Sequence, residues 1–309
     1  MRDTATVAVV GAGLSGAACA RALADAGVPV EVHERGRVPG GRMATRRLDG
    51  RPVDLGASYL TVRDDGFQTV VQDWQARGLV HPWTDAFTVS GSGERKPGPL
   101  RYGTPHGLRS LVVDLLAGLD VRQGSTVTAV GPGPTVDGRA YDAVVLAVPD
   151  PQALPLLDPA LTAERAAVQD RVWEPVLALA AAWPQRTWDL DGCFVEDADV
   201  LAWVADDGRR RGDGAPVLVA HSTSPFAVAH LQEPAAAEQP MTAALRALLE
   251  LGPPVWTYVH RWSCARPAAA REEPFHLGPA RVGLCGDGWG SPRVETAWVS
   301  GTRLAQALI

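Results

Sequence analysis

The chain has 309 residues, enough for one large domain or two ordinary ones, and its 46% hydrophobic and 21% charged content is that of a soluble globular protein. A formal charge of −6 argues against an extended nucleic-acid footprint. Lys96 is the only lysine, which excludes most lysine-based chemistry.

The first predicted element is TVAVV (Thr6 to Val10), a short β-branched run read as a buried strand. The segment Leu14 to Ala26, with small residues at helical spacing, predicts a helix that stops at Gly27. PVEVHE (Pro29 to Glu34) is a second strand, so strand, helix and strand form a βαβ unit with parallel strands. Between the first strand and the helix lies GAGLSG. Gly11, Gly13 and Gly16 stand in the spacing that permits a tight turn, a close approach to a pyrophosphate and helix–strand packing, with Leu14 and Ser15 at the helix start. Glu34 ends the second strand, where a carboxylate accepts hydrogen bonds from ribose hydroxyls.

Next comes PGGRMATRR (Pro39 to Arg47), with Arg35 just before it. Gly40 and Gly41 let backbone pass close to a bulky anionic cofactor, and Arg42, followed by Met43, offers a guanidinium fork to a pyrophosphate or flavin. Arg35 is a candidate cofactor contact at the edge of a basic loop, in which Arg37, Arg46 and Arg47 are expected in solvent. GRPVDLGASYL reads as extended chain, Lys96 falls in an expected exposed loop, and Leu108 to Leu119 reads as helix. DVRQGSTVTAV reads as strands, and YDAVVLAVP as another buried strand. From Asp150 to about His276 the chain is richer in proline, with strand runs such as PVLALAAAW and APVLVAHST, and GRRRGDG (Gly208 to Gly214) reads as a solvated hairpin loop. The end returns to glycine-rich sequence: a strand (RVGLC), Gly286-Asp287-Gly288, and a helix from about Arg293.

This pattern predicts an α/β fold. A Rossmann-like dinucleotide domain is assembled from residues 1–60, 105–150 and 277–309, beside a smaller sheet-containing substrate domain of residues 61–104 and 151–276. The four cysteines, Cys19, Cys193, Cys264 and Cys285, have no CxxC or His/Cys metal spacing, so neither a disulfide framework nor a metal site is expected. His106, His221 and His230 imply no triad and read as structural. No run of 18 apolar residues predicts a membrane span, and a cytoplasmic setting is expected.

The block GAGLSGAACARALADAGVPVEVHERGRVPGGRMATRR closely resembles the flavin-binding start of amine oxidase-like FAD flavoproteins. Its GGRM variant, with HRWSCARPA (His260 to Ala268), GLCGDGWG and RVETAWVSG, is most similar to renalase and its bacterial relatives. The resemblance implies non-covalently bound FAD in an amine oxidase-like two-domain flavoprotein. Asp287, after Gly286, would meet a ribitol hydroxyl; Arg293, Val294 and Glu295 would bring a helix N-terminus to the flavin pyrimidine; the Val127 backbone would meet the adenine. Cys264 does not match a covalent attachment motif and is expected to be a buried structural thiol. His260, Arg261 and Trp262 are the candidate catalytic residues.

For function, the resemblance implies hydride removal from the 2- and 6-dihydro isomers of NAD(P), with O2 as acceptor. The family pattern has Arg-Tyr after HRW where this chain has Ser263-Cys264. Two alternatives stand beside it: an amine oxidase of a specialised pathway, which would lack the usual flavin-facing lysine, and a flavin-binding protein without turnover.

Overall fold

The computed structural model describes residues 6–309 and divides into two compact units, residues 6–43, 109–173 and 266–309, and residues 44–108 and 174–265. In the first unit a six-stranded sheet has the order His276–Leu277, Val282–Leu284, Ala143–Leu146, Val7–Val10 (β1), Val30–Glu34 (β2), Asp120–Gln123. Five strands are parallel and His276–Leu277 is an antiparallel edge. Every residue of β1 and of Ala143–Leu146 is buried, as a parallel strand covered on both faces requires. The helix Leu14–Asp25 (α1) follows β1 directly. It meets the C-terminal helix Val294–Leu308 so closely that a Cβ on Gly301 would lie 2.0 Å from the Ser15 carbonyl oxygen. A three-stranded meander (Val130–Gly131, Thr135–Val136, Arg139–Ala140) completes the unit.

The second unit is built on a seven-stranded sheet, in the order Trp256–Pro267, Trp173–Ala182, Val217–Ser222, Leu201–Asp206, Gly192–Phe194, His81–Val89, Arg95–Gly103. Alternate residues of Trp173–Ala182 feed two cores. Leu177, Leu179 and Ala181 join the cluster of Met241 and Leu245, whereas Ala178, Ala180 and Ala182 join that of Val217 and Val219. No helix among the described residues is long and apolar enough to cross a membrane.

The expected boundaries differ from these units in four places. Residues 44–60 and 105–108 lie in the second unit, because Thr45–Leu48 and Arg51–Asp54 form a hairpin whose Asp54 accepts the Leu108 N–H at 3.1 Å. Residues 151–173 and 266–276 lie in the first, where Leu157, Leu161 and Val168 join the core of Val144 and Leu284.

Local readings shift as well. The helix expected over Leu108 to Leu119 covers only Arg109–Leu115, and between Asp120–Gln123 and Val130–Gly131 the chain is irregular. Lys96 is exposed as expected but sits on the strand Arg95–Gly103 rather than in a loop.

The largest correction concerns GRRRGDG. It is not a solvated hairpin: Asp207–Arg211 is a helix capped by the Asp206 carboxylate on the Arg209 N–H, and Arg210 and Arg211 are buried. Charged residues are buried when they are paired, and here Asp54 and Asp207 supply the partners from within the same unit.

Candidate cofactor site

The site begins at the turn after β1. Gly11 has φ +101°, and a Cβ there would strike the Ala147 carbonyl oxygen and Val148 at 2.8 Å. A Cβ on Gly16 would lie 2.0 Å from the Gly11 carbonyl oxygen, so any larger residue would push the helix off the turn. Gly13 differs, because its nearest neighbour is the Gly41 Cα at 3.9 Å and the space beside it is open. No side chain caps α1 and its first turn has no acidic residue, which leaves its N–H groups and the positive end of its dipole for an anion. Ser15 is buried there, and its hydroxyl makes no hydrogen bond to a nitrogen or oxygen of the protein.

The PGG segment lies against this turn. The Gly40 N–H donates to the Ala12 carbonyl at 2.9 Å, and Gly41, at φ +51°, brings its backbone to Gly13. Glu34 stands at the end of β2 with its carboxylate held by two backbone donors, Ala12 N–H at 2.9 Å and Gly36 N–H at 2.6 Å. Each oxygen retains a lone pair for a ribose hydroxyl. Arg35 is exposed and reaches Gln152 at 3.4 Å, Met43 is buried, and Val127 is buried in the core next to the meander.

Asp287 follows Gly286, whose N–H is fixed by Ser300 Oγ at 3.0 Å. Both Asp287 oxygens receive Arg42, Nη1 to Oδ2 at 2.7 Å and Nη2 to Oδ1 at 2.6 Å. The structure therefore couples two residues that were expected to act separately, one toward ribitol and the other toward pyrophosphate or flavin. Arg42 also lies over the Trp173 ring, 4.9 Å from its centroid. Arg293 is the extended N-cap of the C-terminal helix, Val294 opens it, and Glu295 is buried in its first turn. The open glycine turn, the uncapped helix end and the strand-end carboxylate suit an adenine dinucleotide. Bound FAD would be held by these groups and would supply the two-electron acceptor.

The candidate catalytic residues lie on Trp256–Pro267, in the second unit. His260 and Trp262 meet edge to face with centroids 4.4 Å apart, and Trp262 Nε1 donates to the Leu55 carbonyl at 2.9 Å. Arg261, between them in sequence, is exposed and donates to the Leu231 carbonyl at 2.9 Å. The trio thus separates into an aromatic pair and a lone arginine, as strand alternation dictates. Burial lowers the His260 pKa below that of an ordinary imidazole, and the Arg46 and Arg261 charges push it the same way.

His221 Nε2 donates to the Leu55 carbonyl at 3.2 Å, and burial brings its pKa down to about 4, in keeping with a structural role. All four cysteines are free, and Cys264 is half-buried rather than buried as expected. Burial raises the thiols of Cys19 and Cys285, the latter to about 12, which makes them unreactive. No group of His, Cys, Asp or Glu among the described residues is arranged to hold a metal. Sequence reasoning missed Asp150, Trp173 and Arg271, which surround the Asp287 loop, because no motif links their positions.

Arg42→Lys tests the fork. A point charge cannot make both Asp287 bonds, so FAD retention on dilution should fall, on the order of 1–2 kcal/mol in affinity. Parental retention, read as flavin absorbance after gel filtration, would place Arg42 outside the cofactor machinery.

An NAD(P)-binding Rossmann-like domain model matches residues 9–74, and a flavin containing amine oxidoreductase model matches residues 79–309. Among solved structures, a redesigned putrescine oxidase is 18% identical with 98% of each chain covered and a TM-score of 0.76. Cyclohexylamine oxidase from Brevibacterium oxydans is 15% identical over 99% of each chain, with a TM-score of 0.78. At these identities the likeness is one of fold. The hydroxyneurosporene desaturases of Rhodobacter capsulatus and Cereibacter sphaeroides are 43% and 46% identical over 63 and 69 residues, only 13% and 14% of their own lengths. The flavin model spans well over half of this chain, which therefore belongs to the flavin containing amine oxidoreductase family, with FAD as its cofactor.

Proposed function

We propose that the protein is a renalase-like FAD-dependent oxidase that removes a hydride from a small electron-rich substrate. The 2- and 6-dihydro isomers of NAD(P) are the substrates of this reading, with O2 as acceptor and hydrogen peroxide as product. The observation that carries it is the chemistry of the available side chains. Lys96, the single lysine, is exposed and lies 3.8 Å from Glu196, and burial lowers the pKa of His260 below that of an ordinary imidazole. A dihydropyridine gives up a hydride without prior removal of a proton, so it asks for stacking and alignment rather than a strong base.

In this reading Gly11, Gly13, Ser15, Glu34, Arg42 and Asp287 hold the dinucleotide. Trp262 and His260 are the proposed orienting surface for the substrate, with Arg261 a cation available to its phosphates. Ser263 and Cys264 replace the family's Arg-Tyr, and a shifted specificity among dihydropyridines is part of the proposal. A cytoplasmic setting suits the four free thiols.

The amine-oxidising reading is favoured by the two amine oxidases among the similar folds. Anaerobic stopped-flow mixing separates the two. The dihydronicotinamide isomers should bleach the flavin fastest, and ordinary 4-dihydro NAD(P)H much more slowly. Faster bleaching by putrescine, cyclohexylamine or another amine replaces the proposal with the amine reading.

A further inference from the structure

Around the Asp287 loop the structure ties together three side chains far apart in sequence. Asp150 is buried just past the strand Ala143–Leu146, and its two oxygens hold two different residues. Oδ2 accepts Trp173 Nε1 at 2.7 Å, and Oδ1 accepts Arg271 Nη2 at 2.7 Å. The other Arg271 terminal nitrogen, Nη1, donates to the Gly288 carbonyl at 2.9 Å, and the guanidinium lies 4.0 Å from the centroid of Trp289. Trp173 carries Arg42 over its ring, and Arg42 grips Asp287.

Gly288 shows how tightly this closes. A Cβ there would lie 3.1 Å from Arg271 Nη1 and 3.2 Å from Trp173 Cζ2, so both side chains bear on the same backbone position. The carboxylate of Asp150 thus fixes one residue that sets the arginine facing Asp287 and another that sets the next carbonyl along the loop. The Arg271 side chain is only 5% exposed, as is that of Asp150, so the ties are shielded from water and worth more than surface pairs.

We propose that Trp173 and Arg271, anchored together on Asp150, are positioning residues of the flavin cradle: they hold the Asp287 loop and the Arg42 fork in the arrangement that receives the cofactor. The proposal rests on the assignment of this cradle to FAD. It gives Asp150 a role that its sequence neighbourhood, the proline-flanked start of the short helix Asp150–Ala153, does not announce.

The test titrates apoprotein with FAD, following the quenching of flavin fluorescence, and records the visible circular dichroism of the bound flavin and the urea stability of each apoprotein. Trp173→Ala and Asp150→Asn should each raise the Kd about tenfold, the change expected from losing one buried charge-assisted tie. Trp173→Phe keeps a ring under Arg42 and should lose less. Because Trp173 and Asp150 act through one bond, Asp150→Asn combined with Trp173→Phe should bind no worse than Asp150→Asn alone. The flavin dichroism of the variants should differ from that of the parent.

Parental affinity and dichroism in both single variants would overturn the proposal, as would affinity losses that simply follow apoprotein stability across the set, Trp173→Phe included. If the parent chain itself takes up no FAD, the cofactor assignment falls and the proposal with it.

Discussion

Asp207→Ala is expected to destabilise the apoprotein by about 3–5 kcal/mol, the usual cost of leaving buried charges without their partner. Asp207 is fully buried and serves three arginines. Arg51 Nη1 is 2.6 Å away, Arg211 Nη2 is 3.1 Å away, and Arg210 is hydrogen-bonded to Oδ1. Asp54 shares the load by accepting Arg211 at 3.1 Å, but Arg210 and Arg211 are both nearly inaccessible to water and Asp54 alone cannot neutralise them. Urea denaturation of the variant measures the loss, and a cost below about 1 kcal/mol, the level of a surface pair, would show that the network is incidental.

The same carboxylate makes a pH prediction. Burial works to raise its pKa, but the Arg210, Arg211 and Arg51 charges outweigh burial and bring it down from 3.8 to about 2. A depressed carboxylate pKa contributes stability that is present above the unfolded value and lost as pH falls through the folded one. The parent should therefore lose an increment of stability between pH 4 and pH 2 that Asp207→Ala, having no such carboxylate, lacks.

Glu34→Ala should weaken FAD binding by on the order of 1–3 kcal/mol, through loss of charge-assisted hydrogen bonds to a ribose. The geometry adds a second contribution. The carboxylate also holds the Ala12 and Gly36 N–H groups, so the variant frees the glycine turn and the start of the Gly/Arg segment together. Glu34→Gln retains an acceptor of the same size and should recover part of the affinity. Isothermal titration of apoprotein with FAD reads both, and parental affinity in Glu34→Ala would mean that another group takes the ribose.

The βαβ unit and the glycine turn were legible in the chain because they depend on neighbours. A β-branched run, three glycines at fixed spacing and a strand-end carboxylate lie within Thr6 to Glu34, and only residues without a Cβ fit at Gly11 and Gly16. The Gly286-Asp287 block was legible for the same reason, being a strand, a turn and a helix in sequence order.

What the chain alone did not determine was pairing across long separations. Arg42 and Asp287 each looked like an independent ligand of the cofactor, and only folding brings their side chains together across 245 positions. The arginines of GRRRGDG carried every local sign of a solvated loop: charge, glycine and no apolar period. Tertiary structure reversed that by placing Asp54, about 155 positions earlier, and Asp207 where their charges offset the cost of burying guanidinium groups. Local sequence sets backbone conformation through sterics and periodicity. The burial of a charge is decided by its partners, and here the neighbouring Asp207 suffices only with Asp54 added from distant chain.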